Sequence, residues 1–336
     1  MDEAKTPQPR AGPEARDGNN RSGSSASRAP RTETDAFLTL SAMRGIGPKT
    51  LFEWAEEGSS YRAILSEGPS DQPSGWRERR AEAADRAVKM RELLEHLQVR
   101  LILRSDREFP ARLLELTRPP HWLFVQGSVD RLNEPSVAIV GTRKPSDDGI
   151  FLARYVGACL SDWSVPTVSG LAAGIDQLAH EESLRSGVPT IAVLGTGILE
   201  DYPKGSSGVR ERILAGGGAI ITEYLPRASY SGDNFVQRNR LQAALACILI
   251  PVEWKRRSGT AHTVRFASSL KRPIACLRLP YWPHDRVQFE PGLGLETGAL
   301  FTVPREQDAF DRFVRDSIGE TASEATKQLS LFGEDD

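Results

Sequence analysis

The residues with most to offer chemically lie in five short stretches, each following an apolar run. They are Gly141-Thr142-Arg143, "SGLAAGID" from Ser169, "GTGILEDYPK" from Gly195, "EYLPRASYSGDNFVQRNR" from Glu223 and "EWKRRSGT" from Glu253. Together they carry Arg143, Lys144, Lys204, Arg238, Arg240, Lys255, Arg256 and Arg257, interleaved with glycine-rich backbone that can aim N–H groups at an anion. The planar fork of arginine matches phosphate oxygens, so the chemistry on offer is capture of a phosphate-bearing ligand. Any one of these cations could equally be a solvated loop end. Their recurrence in separate stretches is what argues for a site.

A nucleotide cofactor fits the same stretches poorly. The dinucleotide fingerprint needs a third glycine or alanine three positions after the second, and after Gly195 and Gly197 that place holds Glu200. There is no GK[ST] phosphate loop. Asp176 and His180 stand four apart, so on a helix they would share a face and could form an acid–base pair, but a helix-start Asp beside a packed His is the commoner arrangement. Ser169 before Gly170 lacks the G-x-S-x-G pattern of a nucleophile elbow. The five histidines, three cysteines and the carboxylates show no metal-ligand spacing. The expectation is binding without turnover, cofactor or metal.

Something must bring the five stretches together. The apolar runs at Val137, Pro166, Thr190, Ala219, Cys247 and Pro273 are short, nearly continuous and separated by enough chain for one helix each. Strands of that kind are buried on both faces, which means a mostly parallel sheet covered by helices, a doubly wound α/β domain. Ligands of such sheets bind beyond the carboxyl ends of the strands, so all five stretches fall on one rim. "LILRSD" and "HWLFVQG" between Leu101 and Glu134 add a strand or two at the sheet edge, and "ETGALFTVP" after Glu296 adds another.

The remaining chain divides by composition. Residues 1–34, rich in Pro, Gly, Ser and charge, have too little to bury and are expected to be a disordered tail. Residues 35–100 carry apolar residues at helical spacing and form a small all-α unit, 101–304 the sheet domain, and 305–336 a polar C-terminal tail. In the helical unit, "MRGIGPKTLFEW" resembles a helix-hairpin-helix. Gly45, Gly47 and Lys49 would there present backbone amides to a phosphate, although such turns also join helices that touch only each other. A net charge of -2 excludes a uniformly basic coat and allows a local basic groove. Cys159, Cys247 and Cys276 are read as reduced core residues. With no membrane-length apolar run and no signal peptide, the expected location is cytoplasmic.

In this order and spacing, "VAIVGTR", "SGLAAGID..AH", "TIAVLGTGI...YP", "NF..RNR" and "SGT", with the lead-in "FPARLLELTRPPHWLFVQG", resemble the DNA-processing protein A family (DprA, also called Smf) over about Phe109 to Leu279. The resemblance implies an extended Rossmann-like domain, preceded here by a helix-hairpin-helix or SAM-like unit. It implies a protein that binds single-stranded DNA, protects it and loads the RecA recombinase during natural transformation (competence) or related DNA recombination, without a catalytic reaction. By position, Arg143, Lys204, Arg238 and Arg240 become phosphate clamps, with Lys144 beside them among the DNA-binding residues, Phe235 a base-stacking ring, and Gly170, Gly174 and Gly195 close-approach turns. A homodimer is also implied. "NFV" replaces the family's usual "NFP", and "YPKGSSG" stands where Asn often follows "YP". The alternative is a nucleotide-sensing domain on the same scaffold, with phage defence as one setting.

The end of the chain adds one more motif. Leu329, Leu331 and Phe332 are large apolar residues in a polar stretch, the mark of a peptide that fills a partner's pocket. Gln328, Leu329, Ser330, Leu331 and Phe332 resemble the short peptide with which bacterial replication and repair proteins dock on the DNA polymerase sliding clamp. Folding back on the domain is the other use such residues could have.

Overall fold

The computed structural model describes residues 32–69, 75–283 and 298–331, with side chains as far as residue 319. Its centre is a nine-stranded sheet. In chain order the strands are β1 (Val99–Leu103), β2 (Trp122–Gly127), β3 (Val137–Val140), β4 (Thr167–Ser169), β5 (Thr190–Val193), β6 (Ala219–Thr222), β7 (Ile248–Pro251), β8 (Ile274–Arg278) and β9 (Gly298–Thr302). They lie in the order β1-β2-β6-β5-β4-β3-β7-β8-β9. β1 and β2 pair antiparallel at one edge and β2 meets β6 antiparallel, while every other neighbour pair is parallel. The fold is the Rossmann-like α/β expected, and β3 and β7 are neighbours from which the chain runs outward in opposite directions.

Alternation along the strands supplies both faces with core. On β3, Val137 and Ile139 join Leu152, Val156 and Leu160 of helix α5 (Asp147–Trp163), and Ile175 and Ala179 of α6 (Ile175–Arg185). Ala138 and Val140 point the other way, to Leu241, Ala244 and Leu245 of α8 (Gly232–Leu245) and Ala261 and Val264 of α9 (Gly259–Ser269). A strand with period-two side chains feeds two cores only when helices cover both its faces, hence its near-continuous apolarity.

Two boundaries differ from the expected ones. Helices α1 (Glu33–Ser41), α2 (Pro48–Glu56), α3 (Tyr61–Glu67) and α4 (Trp76–His96) share one continuous core with the sheet: Phe37, Leu40 and Leu51 pack with Trp122, Phe124 and Ile220. A unit of this size gains by burying its apolar face on a sheet edge, and the core of 35–100 runs on into that of the sheet. At the other end, the domain continues past 304. Helix α10 (Gln307–Leu331) buries Phe310 and Val314 against β9 and α5, and Trp163 Nε1 donates to Asp311 Oδ1 at 2.8 Å. Residues 1–31, most of the expected N-terminal tail, and Phe332 at the end of the clamp-type peptide lie outside the described residues, as do the side chains of Gln328, Leu329, Ser330 and Leu331, whereas Thr32, Glu33 and Thr34, also expected in that tail, cap and open α1. Among the described residues, no helix is long and apolar enough to cross a membrane.

Candidate nucleic-acid interface

The chain leaves β3 through Gly141, Thr142 and Arg143, and the turn is held from three sides. Thr142 N–H donates to the Glu253 carbonyl beyond β7 at 2.7 Å, Ile175 N–H donates to the Thr142 carbonyl at 3.1 Å, and Thr260 Oγ1 donates to the Gly141 carbonyl at 2.9 Å. Gly174, at φ +86°, closes the approach: a Cβ there would collide with the Thr142 carbonyl oxygen. A conformation rare for L-residues and a contact with no room for a side chain both demand glycine. Ser146, Ser231 and Ser258 accept N–H groups at the starts of α5, α8 and α9 at 3.2, 3.0 and 3.4 Å. Three capped helix starts therefore point at this rim, and each adds positive potential.

Between them lies a cavity of about 570 Å³, lined by Gly141, Thr142, Arg143, Asp176, Tyr202, Tyr230, Phe235, Arg238 and Ser258 to Thr260, among others. It sits beyond the carboxyl ends of β3 and β7, at the switch point where such sheets bind ligands. Its distinguishing feature is an aromatic cluster capped by a cation. Tyr202 stacks on Tyr230 with centroids 4.9 Å apart and planes at 26°, and meets Phe235 at 5.1 Å. The exposed Arg143 guanidinium lies 5.2 Å from the centre of the Phe235 ring. A ring for a base beside a fork for its phosphate is what single-stranded nucleic acid requires.

The structure separates the expected cations. Arg143 and Lys144 are exposed, Arg143 on the cavity and Lys144 on an adjoining cleft with Glu253, Trp254, Lys255 and Trp282. Lys204 is exposed on a loop pinned by the Asp201 carboxylate, which accepts from Gly205 and Ser206 N–H, but it stands outside the cavity wall. Arg238 is not a solvent-facing clamp. It is 2% exposed, and its Nη1 donates to the carbonyls of Gly170, at 2.6 Å, and Val193. Gly170 is the space Arg238 needs, since a Cβ there would strike Nη1 and Asp176 Oδ2. Arg240 is likewise committed, its Nη2 2.6 Å from Glu223 Oε2 in a largely buried pair. Both face inward because α8 packs on the sheet, and a buried guanidinium must find partners.

Asp176 and His180 do not form an acid–base pair. His180 is fully buried with Nδ1 2.7 Å from Thr190 Oγ1, and burial depresses its pKa to about 3, so the ring is neutral. Asp176 lies in the cavity floor, where burial raises its pKa while Arg238 and the Ala172 and Gly141 amides pull the other way. The floor thus sets the Asp176 carboxylate, bonded to the Gly141 amide of the turn, in the positive field of Arg238.

In the helical hairpin, Gly45 has φ +81° and Gly47 caps α2 with no side-chain partner, with Pro48 at the first helical position. Lys49 is exposed and 3.6 Å from Glu53. The turn is braced from behind by α4: Arg86 Nη2 donates to the Ala42 carbonyl at 3.0 Å, and Arg79 donates to that of Arg44. The residues that sequence reasoning missed are Tyr202 and Tyr230. Their signal was an aromatic in each of two loops already rich in cations, the interleaving typical of single-strand binders.

Residues 100–290 match the family model described as DNA recombination-mediator protein A. Among curated proteins, the chain is 37% identical over 177 residues to Protein Smf of a Synechocystis species, covering 52% of this chain and 44% of that protein. It is 37% identical over 169 residues to the DNA processing protein DprA of Streptococcus pneumoniae, covering 50% and 59%. The chain spans about half the length of the curated relatives it matches. Among solved structures, the DNA processing protein A of Streptococcus pneumoniae superposes with a TM-score of 0.62 at 27% identity over 83% of this chain and 97% of that one. The Helicobacter pylori protein, solved for its single-stranded DNA binding mode, gives 0.55 at 24% identity over 66% and 98%, a likeness of fold.

Proposed function

We propose, given that this chain belongs to the DNA recombination-mediator protein A family, that its strand-end rim binds single-stranded DNA with little sequence preference. The observation that carries the reading is the Arg143–Phe235–Tyr202–Tyr230 cluster around the switch-point cavity. Rings accept any base by its face and Arg143 accepts any phosphate, so the chemistry is sequence-tolerant. The helix starts and the buried Arg238 add a field that attracts the strand without touching it. The relatives' names, and the single-stranded DNA binding mode for which the Helicobacter protein was solved, support the same assignment.

On this reading the protein shields single-stranded DNA and passes it to a RecA-type recombinase, in transformation or repair in the cytoplasm, with no reaction of its own. The neutral, enclosed His180 supports binding over catalysis. The peptide Gln328 to Phe332 carries a second contact, with the sliding clamp, at micromolar affinity because Gln328 to Leu331 close helix α10 and unwinding that turn for an extended peptide offsets part of the burial. A homodimer is part of the same reading. A cavity of about 570 Å³ would also admit one nucleotide, so a nucleotide sensor is the competing assignment. Calorimetry against thymidine oligomers and a panel of mononucleotides separates them. Heat from oligomers alone supports the DNA reading, and saturable heat from one mononucleotide at lower concentration than any oligomer overturns it. A peptide of the last dozen residues should compete for the clamp, and clamp binding that survives deletion from Lys327 onward removes that contact.

A further inference from the structure

A groove beside the cavity is left unaccounted for by the rim residues. From Trp254 to Pro283 the sequence contains no Asp or Glu and seven Lys or Arg, in a chain whose formal net charge is -2. Several of these gather at the start of α9, where Arg256, Arg257, Ser258, His262 and Arg265 line an open groove. His262 and Arg265 are three apart, and so share a face of the helix. Arg257 and Arg265 are exposed and make no ion pair among the described residues, whereas Arg256 is already engaged. Ser258 belongs to the wall of the central cavity and to the wall of this groove, so the two adjoin at one residue. Unlike the cavity, the groove has no Phe, Tyr or Trp among the described residues that line it.

We propose that the groove formed by Arg257, His262 and Arg265 is a second, phosphate-only contact, over which a nucleic-acid strand seated in the cavity continues past the α9 start. The proposal rests on the single-stranded DNA reading above and adds the direction in which the strand leaves. Two forks and an imidazole on an open surface without the stacked rings of the cavity offer more to phosphate oxygens than to a base. The groove therefore lengthens the site without selecting sequence, and only strands longer than the cavity can use it.

The test compares thymidine oligomers of about six and about twenty-four nucleotides, a span that brackets the usual single-strand site sizes. Each is titrated by fluorescence anisotropy at several salt concentrations into the wild-type chain and an Arg257→Glu/Arg265→Glu variant. The variant should bind the long oligomer about tenfold more weakly, with a salt slope shallower by about 1.4, or 0.7 per lost phosphate contact. The short oligomer should bind both proteins equally. An Arg257→Lys/Arg265→Lys variant should recover most of the affinity for the long oligomer. Equal losses for both lengths would overturn the proposal, by placing the two arginines in the cavity's own support. Unchanged binding of the long oligomer would also overturn it, and would leave the groove to an acidic protein partner. If the wild-type chain binds neither oligomer, it is the single-stranded DNA reading that fails.

Discussion

The molecule has two glycine turns that read alike in sequence, one after β3 and one between α1 and α2, and they end up in different surroundings. The turn after β3 is met by the starts of α5, α8 and α9, by Arg143 over Phe235, and by Tyr202 and Tyr230 from two further loops. The turn at Gly45 to Gly47 is met from behind by Arg79 and Arg86, which donate to carbonyls of its own chain, and on its open side carries Lys49 beside Glu53. Each region also has a buried histidine. Under the rim His180 meets a hydroxyl, Thr190, and by the hairpin His121 meets the carboxylate of Glu56 at 2.5 Å, which ties α2 to the sheet. A glycine turn offers amides anywhere. It becomes a site where elements remote in sequence bring charge and rings to it, and a parallel sheet does that at its switch point.

The largest expected effect concerns the foundations of the two regions. The pKa of His180 falls from 6.5 to about 3 on folding, so the unfolded chain takes up its proton first. The stability this contributes is fully present above pH 6.5 and is lost as pH falls towards 3. Between pH 6.5 and 5 the loss should be about 2 kcal/mol in urea titrations, and His180→Gln should remove most of that slope. A slope unchanged in the variant would mean that the rim does not rest on a neutral buried ring. Next comes Phe235→Ala, which takes away a stacking ring and the seat of Arg143. Affinity for a thymidine oligomer should drop by about 1–3 kcal/mol, and the drop should persist at high salt because stacking is not screened. Lys204→Ala, at the margin of the rim, should cost about threefold at low salt and much less at high salt. Lys49→Ala in the hairpin should change affinity by less than about twofold. A loss there as large as that of Phe235→Ala would erase the distinction between the turns and make the hairpin a second anchor.

The sheet was legible because buried parallel strands are short apolar runs at helix-length intervals, and each expected run is a strand. The place of Arg143 followed, since a residue just past β3 can only be on the rim. Arg238 and Arg240 were not separable from it by sequence. Their burial depends on the phase of α8 and on partners at positions 170, 193 and 223, which only the closed fold brings near. Tyr202 and Tyr230 meet across two loops separated by α7 (Ser207–Ala215) and β6, so neither loop alone announces a stack. The helical unit read as independent because its period is helical throughout. Its partners, Phe124 and Ile220, carry the period of the sheet, so a single periodicity cannot show that the two cores are one.

The central claim, that the rim takes the strand through an exposed arginine beside a ring, is tested most directly by one salt series. Affinity for a thymidine oligomer is measured from about 50 to 200 mM salt for the wild-type chain and for Arg143→Ala, with mononucleotide as competitor. The variant should bind about tenfold more weakly at low salt, with a slope shallower by about 0.7, and mononucleotide should compete poorly with both proteins. Identical affinity and identical slope in the two proteins would contradict the account and remove the switch-point cavity as the DNA site.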